Sequence, residues 1–230
     1  MDFIIEGIQK AFQLIFSLDR EIFNIVLLSV RVSLTAIILA SLVGIPLGFL
    51  MAVKDYWGKR LIVALVNTLL ALPTVVVGLI VYSLISRRGP LGLFGLLYTP
   101  SAMIIGQFIL ATPIVIALTH SAVQGIDRRV RNTALTLGAT EIQSAWTVIK
   151  EARYAVLAAV ITGFGRVIAE VGAAMMLGGN IKGSTRVMTT AIALETAKGE
   201  FGFSIALGII LLLIAFSINI LLHYFQSKRV

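Results

Sequence analysis

The chain has 230 residues, of which 58% are hydrophobic, and its mean hydropathy is +0.99. Soluble domains are roughly 45–50% apolar, so the composition indicates a polytopic α-helical membrane protein surrounded by lipid. The net charge of +8 fits the lysine and arginine excess of cytoplasmic loops. No basic stripe with interleaved aromatics indicates nucleic-acid binding. The absence of cysteine excludes thiolate metal sites, and His120 and His223 lie far apart in the sequence.

An amphipathic helix is predicted at the start of the chain, within residues 3–16. Apolar residues recur there at helical spacing from Ile5 to Ile15, and polar side chains occupy the opposite face. Such a helix lies in the membrane interface, although a short sixth span is the alternative. We therefore expect two parts, an interfacial helix in residues 1–21 and a transmembrane domain in residues 22–230.

Five apolar segments are long enough to cross about 30 Å of hydrocarbon, which takes roughly 20 helical residues. They are residues 22–53, 61–86, 99–124, 153–178 and 203–225. Proline removes a backbone donor and clashes with the preceding turn. Bends are therefore predicted at Pro46, Pro73 and Pro113. The predicted fold class is all-α, a polytopic membrane protein with five transmembrane helices and an N-terminal amphipathic helix.

Positive charge indicates which loops face the cytoplasm. If residues 54–60, 125–153 and 226–230 are cytoplasmic, that side holds ten lysines and arginines and the opposite side holds seven. Because cytoplasmic loops carry the positive excess, we expect an outer N-terminus and a cytoplasmic C-terminus in a cell membrane. No internal repeat is evident, and five helices make a thin wall for a pore. A two-fold homodimer would place a pathway between two copies.

The loop in residues 125–153 is patterned as two short helices that form a rigid elbow outside the bilayer. Asp127 can cap the first helix, and Gly138 can end it in the left-handed conformation. Thr140 and Gln143 have the spacing of a capping box that opens the second helix. Such an elbow could dock on a partner or pack only on its own membrane domain. The predicted apolar face of the second helix comprises Ile142, Ala145, Trp146 and Ile149.

One segment of this elbow resembles a known motif. The run from Asn132 to Ala139 resembles the EAA loop of type I ABC importer permeases, with Ala134 and Gly138 at matching positions. The first two residues of that motif are replaced, and Lys150-Glu151 stands where Leu-Pro is usual. The location of the segment, between the third and fourth of five spans, also fits this family.

The resemblance implies the type I ABC importer permease fold, two copies of a cytoplasmic ATPase and an extracytoplasmic substrate-binding protein. ATP hydrolysis would belong to the ATPase, so the chain itself is not expected to be an enzyme or to hold a cofactor. The residues implied to contact the ATPase are Arg131, Ala134, Leu135, Leu137, Gly138, Ala139, Thr140 and Glu141.

Further segments resemble permeases for oxyanions. Residues 72–78 are similar to the Leu-Pro-rich second core helix of molybdate and sulfate permeases. Residues 170–173 and 179–181 are similar to their Glu-x-Gly-Ala and Gly-Asn-Ile segments. Residues 188–196 are most similar to tungstate-type permeases. The resemblance therefore implies an oxyanion substrate, with tungstate first and molybdate or sulfate next.

Two charged residues fall inside the fourth predicted span. Arg166 and Glu170 are four residues apart and would share one helix face as an ion pair. A lone charge at mid-bilayer costs about 2.5–3.5 kcal/mol on insertion scales, so both side chains must face protein or water. They could line the pathway or only fix helix packing. The residues assigned to the pathway or gate are Pro73, Thr74, Gly78, Arg166 and Glu170.

Positive residues also occur near the predicted outer surface. Arg31 and the pair Arg87-Arg88 could attract an anion to an outer vestibule, or the loop arginines could simply be solvated. Loop 179–200 could contact a binding protein, and the alternative is an ordinary re-entrant or connecting loop. The residues assigned to binding-protein contact are Arg87, Arg88, Asn180, Lys182 and Arg186.

Other functions have less support in the sequence. The glycines in residues 178–184 have P-loop spacing, but the phosphate-binding lysine is missing. No nucleophile–base pair indicates an enzyme, and no metal site is expected. A secondary transporter or channel using Arg166 and Glu170, or a membrane scaffold without transport, are the alternatives.

Overall fold

The computed structural model describes residues 2–17 and 19–227, and helices dominate this part of the chain. The helices are α1 (Asp2–Phe16), α2 (Arg20–Val53), α3 (Lys59–Leu69), α4 (Thr74–Ile85), α5 (Pro100–Gln124), α6 (Arg128–Thr136), α7 (Glu141–Ile168), α8 (Gly172–Gly178), α9 (Met188–Ala197) and α10 (Phe201–Ser227). No strand occurs among the described residues, which confirms the all-α prediction. The predicted cytoplasmic tail ends with residues 228–230, which lie outside the described residues.

Three helices, α2, α5 and α10, are each long and apolar enough to cross a membrane. Two further spans each consist of two helices, α3 with α4 and α7 with α8, that meet the same criteria together. Counted in this way, the described residues contain five candidate spans, which agrees with the predicted number.

The second span differs from the prediction of one bent helix in residues 61–86. α3 and α4 meet at 95° across a short break. Pro73 has an extended backbone with ψ 123° and directly precedes the first turn of α4. Because proline lacks an N–H and disfavours helix in the residue before it, the helix stops and restarts at Thr74. In contrast, α2 continues through Pro46 and α5 continues through Pro113.

The fourth predicted span, residues 153–178, ends where α8 ends, but its predicted start lies inside a longer helix. α7 runs unbroken from Glu141 to Ile168, so the second arm of the elbow and the span are one helix. Lys150 and Arg153 fit this helix because they lie exposed on one side while Ala152 is buried on the other. The span then breaks after Ile168, and α8 continues at an angle of 60°.

The centre of the molecule is the contact between α2 and α5, which run in the same direction. A Cβ on Gly44 would lie 2.9 Å from Val115 Cβ. One turn further along both helices, a Cβ on Gly48 would lie 2.6 Å from Ile116 O and 2.9 Å from Thr119 Cβ. The two backbones approach this closely because both α2 positions are glycine. Small residues four apart are a common packing device of membrane helices, and the sequence prediction missed this pair.

α1 packs against α10. Ala11 is fully buried, and the Lys10 Nζ to Glu200 Oε2 distance is 3.0 Å. Phe12 and Phe16 are exposed on the other side of α1. The predicted helix is therefore present, with one side packed on α10 and the other side exposed. Its location in the membrane interface stays a prediction.

The loops gather at two opposite ends of the bundle. At one end, which we call the outer end, the Tyr98 N–H donates to Leu177 O at 2.9 Å and Lys182 Nζ lies 2.6 Å from Glu21 Oε2. At the other end, which we call the elbow end, Lys59 Nζ donates to Ala52 O at 3.3 Å, beside the elbow. The charge-based prediction grouped the loops in the same way, and the side of the membrane that each end faces stays a prediction.

Part of the predicted outer loop 179–200 is helical. Residues 188–197 form α9, and Met188, Thr190 and Ala191 are fully buried. The Met188 N–H donates to Ser29 Oγ on α2 at 2.8 Å. This segment therefore folds back into the bundle, and apart from Ala193 the exposed residues of the loop lie in residues 179–184 and 196–200.

Candidate coupling and pathway sites

The elbow, formed by α6, residues 137–140 and the start of α7, has the local structure that its sequence predicts. The Arg129 N–H donates to Asp127 Oδ1 at 2.9 Å and caps α6. Thr140 and Gln143 form a reciprocal capping box at the start of α7. Gly138 has φ +86°, a left-handed value that favours glycine between the two helices. These predictions are confirmed.

Polar contacts hold the two arms of the elbow together. Arg131 Nη2 lies 2.7 Å from Glu141 Oε2, and Ser144 Oγ donates to Arg131 O at 3.3 Å. Buried Ser144, Val148 and Ala152 form the inner face of α7. Because α6 is fixed to α7, and α7 continues into the membrane, the elbow is a rigid extension of the fourth span.

Apolar side chains cover the exposed tip of the elbow. Leu137 is 83% exposed, Ile142 is 82% exposed and Trp146 is 57% exposed. We call these three residues the tip patch. The sequence pattern grouped Ile142 and Trp146 with Ala145 and Ile149 as one apolar face. Of these four residues, Ala145 and Ile149 pack on the interior. A large exposed apolar patch on a polar segment indicates a docking surface, and the sequence assignment named only Leu137 of the three.

A cavity of about 440 Å³ separates the elbow from the loop between α2 and α3. Charged residues on both walls include Lys59, Asp127, Arg128 and Arg131. Lys59 Nζ lies 3.0 Å from Asp55 Oδ1, and this hydrogen bond lowers the pKa of Asp55 below its usual range. Asp55 is 92% exposed, so solvent screens the pair and it adds little stability.

The two breaks in the spans meet where α4 contacts α8. A Cβ on Gly172 would lie 2.8 Å from Val75 Cγ2 and 3.1 Å from Thr74 Oγ1. A Cβ on Gly78 would lie 3.1 Å from Ala173 Cα. Four of the five residues assigned to the pathway therefore lie at one junction between α4 and α8. They are Pro73, Thr74, Gly78 and Glu170.

Glu170 and Arg166 do not form the predicted ion pair. α7 ends at Ile168, so Glu170 leaves the helical register and is only 4% exposed. Its Oε1 accepts from the Ala173 N–H at 3.0 Å, and its backbone oxygen accepts from Thr189 Oγ1 at 2.7 Å. Arg166 is exposed, and among the described residues no ion pair joins the two. Glu170 thus caps the first turn of α8.

Asn180 has an internal structural role at the outer end. Its φ is +51°, and its side-chain Nδ2 donates to Thr190 O at 3.2 Å. Thr190 Oγ1 in turn donates to Asn180 Oδ1 at 2.9 Å. The amide therefore ties the loop to α9. Arg87 and Arg88, by contrast, are exposed.

An ion-pair cluster at the outer end holds loop 179–187 to α2 and α9. Arg186 Nη1 lies 3.5 Å from Glu21 Oε1 and 3.4 Å from Glu195 Oε1. Lys182 pairs with Glu21, and Lys198 pairs with Glu195 at 3.0 Å. The Arg186 side chain is 10% exposed and that of Glu195 is 12% exposed. The sequence assignment named Arg186 and Lys182 but missed both glutamates. Glu21 is distant from them in the sequence, and Glu195 lies inside α9, where no local pattern marks it.

The chain is similar to several known transport proteins. It matches the family described as binding-protein-dependent transport system inner membrane component over residues 44–230. It is 42% identical over 228 residues to the tungstate uptake system permease protein TupB of Peptoclostridium acidaminophilum, covering 99% of this chain and 100% of that protein. It is 45% identical over 223 residues to TupB of Campylobacter jejuni, covering 97% and 93%.

The fold is similar to that of a solved transporter. The match is to the inward-facing MetNI methionine ABC transporter, with a TM-score of 0.73 and 15% sequence identity. It covers 94% of this chain and 97% of that chain. At this identity the similarity concerns the fold, and it agrees with the type I importer fold implied by the elbow motif.

Proposed function

This chain belongs to the family of inner membrane components of binding-protein-dependent transport systems, and from that premise we propose that it is the permease of an ABC importer for tungstate. Two copies would form the pathway at their interface. Two separate ATPase subunits would bind the elbows and hydrolyse ATP. An extracytoplasmic binding protein would deliver the oxyanion.

The observation that supports tungstate is similarity along nearly the whole chain to two tungstate uptake permeases, at 42% and 45% identity. A shared fold alone would leave the substrate open, because one fold serves many functions. Molybdate and sulfate are the next candidates, since both are divalent tetrahedral oxyanions of similar charge distribution.

The elbow end is the proposed site of ATPase binding. The tip patch would enter a groove of the ATPase, with Leu137 and Ile142 as apolar anchors. Ala134, Gly138 and Ala139 would allow close backbone approach beside them. Support comes from the exposed apolar tip on an otherwise polar elbow and from the hydrogen bonds that make the elbow rigid. The elbow end would therefore face the cytoplasm.

The outer end is the proposed site of binding-protein contact. Arg87, Arg88 and Lys182 are the candidates, because their side chains are largely exposed. Asn180 and Arg186 would support this surface indirectly, since the first ties the loop to α9 and the second pairs with Glu21 and Glu195.

A second copy of the chain is proposed to complete the wall of the pathway. No described residue of α3 is buried, and Leu61 and Leu65 are 65% and 55% exposed. Together with the neighbouring face of α4, α3 offers an apolar surface beside the junction of the two broken spans.

The proposal is tested with the permease, its ATPase and its binding protein reconstituted in liposomes. We expect ATP-dependent accumulation of tungstate that requires all three proteins. Molybdate and sulfate at equal concentration should compete less effectively than unlabelled tungstate. Uptake driven by an ion gradient without ATP, or preference for another oxyanion, would contradict the proposal.

A further inference from the structure

We propose that a cavity at the outer end is a binding site for a divalent tetrahedral oxyanion on the permease itself. The cavity lies between the first third of α2 and residues 182–186, and its volume is about 500 Å³. This inference rests on the proposed function, because it places the oxyanion on this chain after the binding protein releases it.

The charge of the cavity fits a dianion. Arg31, Lys182 and Arg186 line it, and Glu21 is the one carboxylate among the described lining residues. The three cations and one anion of the lining leave a formal excess of two positive charges, and the neighbouring Glu195 and Lys198 add one charge of each sign. This excess matches in magnitude the double negative charge of a fully ionised tetrahedral oxyanion. Asn24 and Ser184 also line the cavity and supply uncharged hydrogen-bond donors.

Arg31 is the cavity residue whose charge has no counter-ion among the described residues. It lies on α2 about 16 Å from Arg20 along the helix axis, at 1.5 Å per residue, within the residues predicted to form the first span. A charged side chain at that depth is unfavourable unless it faces water, protein or a counter-ion. Arg31 is exposed, and among the described residues its side chain has no hydrogen bond or ion pair. An oxyanion in the cavity would supply the missing partner.

Arg186 lines the opposite wall of the cavity, and protein contacts hold its guanidinium in place. Its Nη1 is held by Glu21 and Glu195 at 3.5 and 3.4 Å, which fixes the guanidinium in place. Its Nε is buried and has no hydrogen-bond partner among the described residues. An unpaired buried donor is unfavourable, and planar guanidinium groups suit oxyanions well. Arg31 is thus exposed and unpaired, whereas two carboxylates hold the Arg186 guanidinium in place.

The site can be tested by chemical protection, because the natural chain has no cysteine. Asn24→Cys introduces a thiol in the cavity wall, and Phe23→Cys introduces one at the neighbouring exposed position outside it. The probes are tungstate and the neutral thiol reagent N-ethylmaleimide, applied to the permease–ATPase complex without binding protein. Tungstate is expected to slow alkylation of Cys at position 24 and to leave that at position 23 unchanged.

Charge variants identify the residues that hold the anion. In the Asn24→Cys background, Arg31→Gln is expected to raise the tungstate concentration for half-protection about tenfold, equivalent to about 1.4 kcal/mol. Arg20→Gln is the matched control, since it removes the same charge from the same helix outside the cavity. Equal concentrations for both variants, or no protection by tungstate at all, would overturn the inference.

The transport assay separates this inference from the proposed function. If the complete system accumulates tungstate but the cavity gives no protection, the permease function stands and the site is wrong. If no tungstate uptake occurs, the proposed substrate is wrong. Protection by acidic peptides of the binding protein but not by tungstate would assign the cavity to protein docking and would also overturn the site.

Discussion

Asn180 combines a left-handed backbone with two side-chain hydrogen bonds to Thr190. Asn180→Gly keeps the backbone conformation unstrained but removes both hydrogen bonds, whereas Asn180→Ala removes them and adds strain. We expect both variants to lower the unfolding temperature of the purified permease. Asn180→Ala should lose about 1–2 kcal/mol more, the cost of a left-handed conformation for a residue with a Cβ. Equal stability of the two variants would show that the backbone is free to change there.

Single residues were predictable where their partners are close in sequence. Thr140 and Gln143 are three residues apart, so their capping box can be read directly from the order of residues. Arg186 pairs with Glu21 and Glu195 only after α2, α9 and the intervening loop have packed together. The i, i+4 pairing of Arg166 with Glu170 failed for a related reason, because it assumed a helix that in fact ends at Ile168.

The packing of α2 on α5 depends on Gly48. A Cβ at this position would lie 2.6 Å from Ile116 O, and the backbone there cannot move aside easily. Gly48→Ala is therefore expected to destabilise the protein by about 1–3 kcal/mol, the usual range for overpacking. Gly165→Ala on α7 is the control, since no heavy atom of a neighbouring element lies within 4 Å of the position its methyl group would take, and alanine favours helix. Thermal unfolding of both variants in detergent tests this, and a stable Gly48→Ala protein would refute it.

Shortening the apolar side chains of the tip patch should weaken binding of the ATPase to the elbow. Leu137→Ala and Ile142→Ala are each expected to weaken association with the ATPase about tenfold, a typical loss for an apolar anchor. Leu93→Ala is the control, because Leu93 is 99% exposed but lies at the outer end. The measurement is equilibrium binding of the ATPase to the permease in nanodiscs. Unchanged binding of the tip variants would place the docking surface elsewhere.

Elements were predictable where hydropathy and capping signals coincide. Pro73 indicated an interruption of the helix. The angle of 95° between α3 and α4, however, depends on how the two helices pack on their neighbours. The break after Ile168 contains no proline and follows an apolar run, so no local signal marked it. The charged residues around Lys150 suggested a loop, yet they occupy the exposed side of a continuous α7.

The arrangement of the whole molecule predicts which residues share a side of the membrane. Trp57 is 100% exposed at the elbow end, and Leu93 is 99% exposed at the outer end. Trp57→Cys should react with a membrane-impermeant maleimide only in inside-out vesicles, and Leu93→Cys only in right-side-out vesicles. The cysteine-free natural chain is the control. Labelling of both variants from the same side would contradict the proposed topology.

The number and alternating direction of the spans follow from hydropathy and charge, since each span needs its own apolar segment. The folding of α9 back into the bundle does not follow from them. It depends on contacts such as that of the Met188 N–H with Ser29 Oγ, between residues distant in sequence. The completion of the pathway by a second copy depends on surfaces that one chain leaves exposed.

The continuity of α7 has a mechanical consequence. Its 28 residues make a rod about 42 Å long at 1.5 Å per residue, with one end in the elbow and the other beside the junction of the broken spans. Near the end of α7 beside that junction, the Gln107 Nε2 group on α5 donates to Val167 O at 3.2 Å. If α7 pivots about its elbow end by about 5°, its other end, at Ile168, moves by about 4 Å, given the length of the helix. A small rotation imposed at the elbow would thus move the far end of α7, beside the junction of the broken spans, by more than the width of a water molecule.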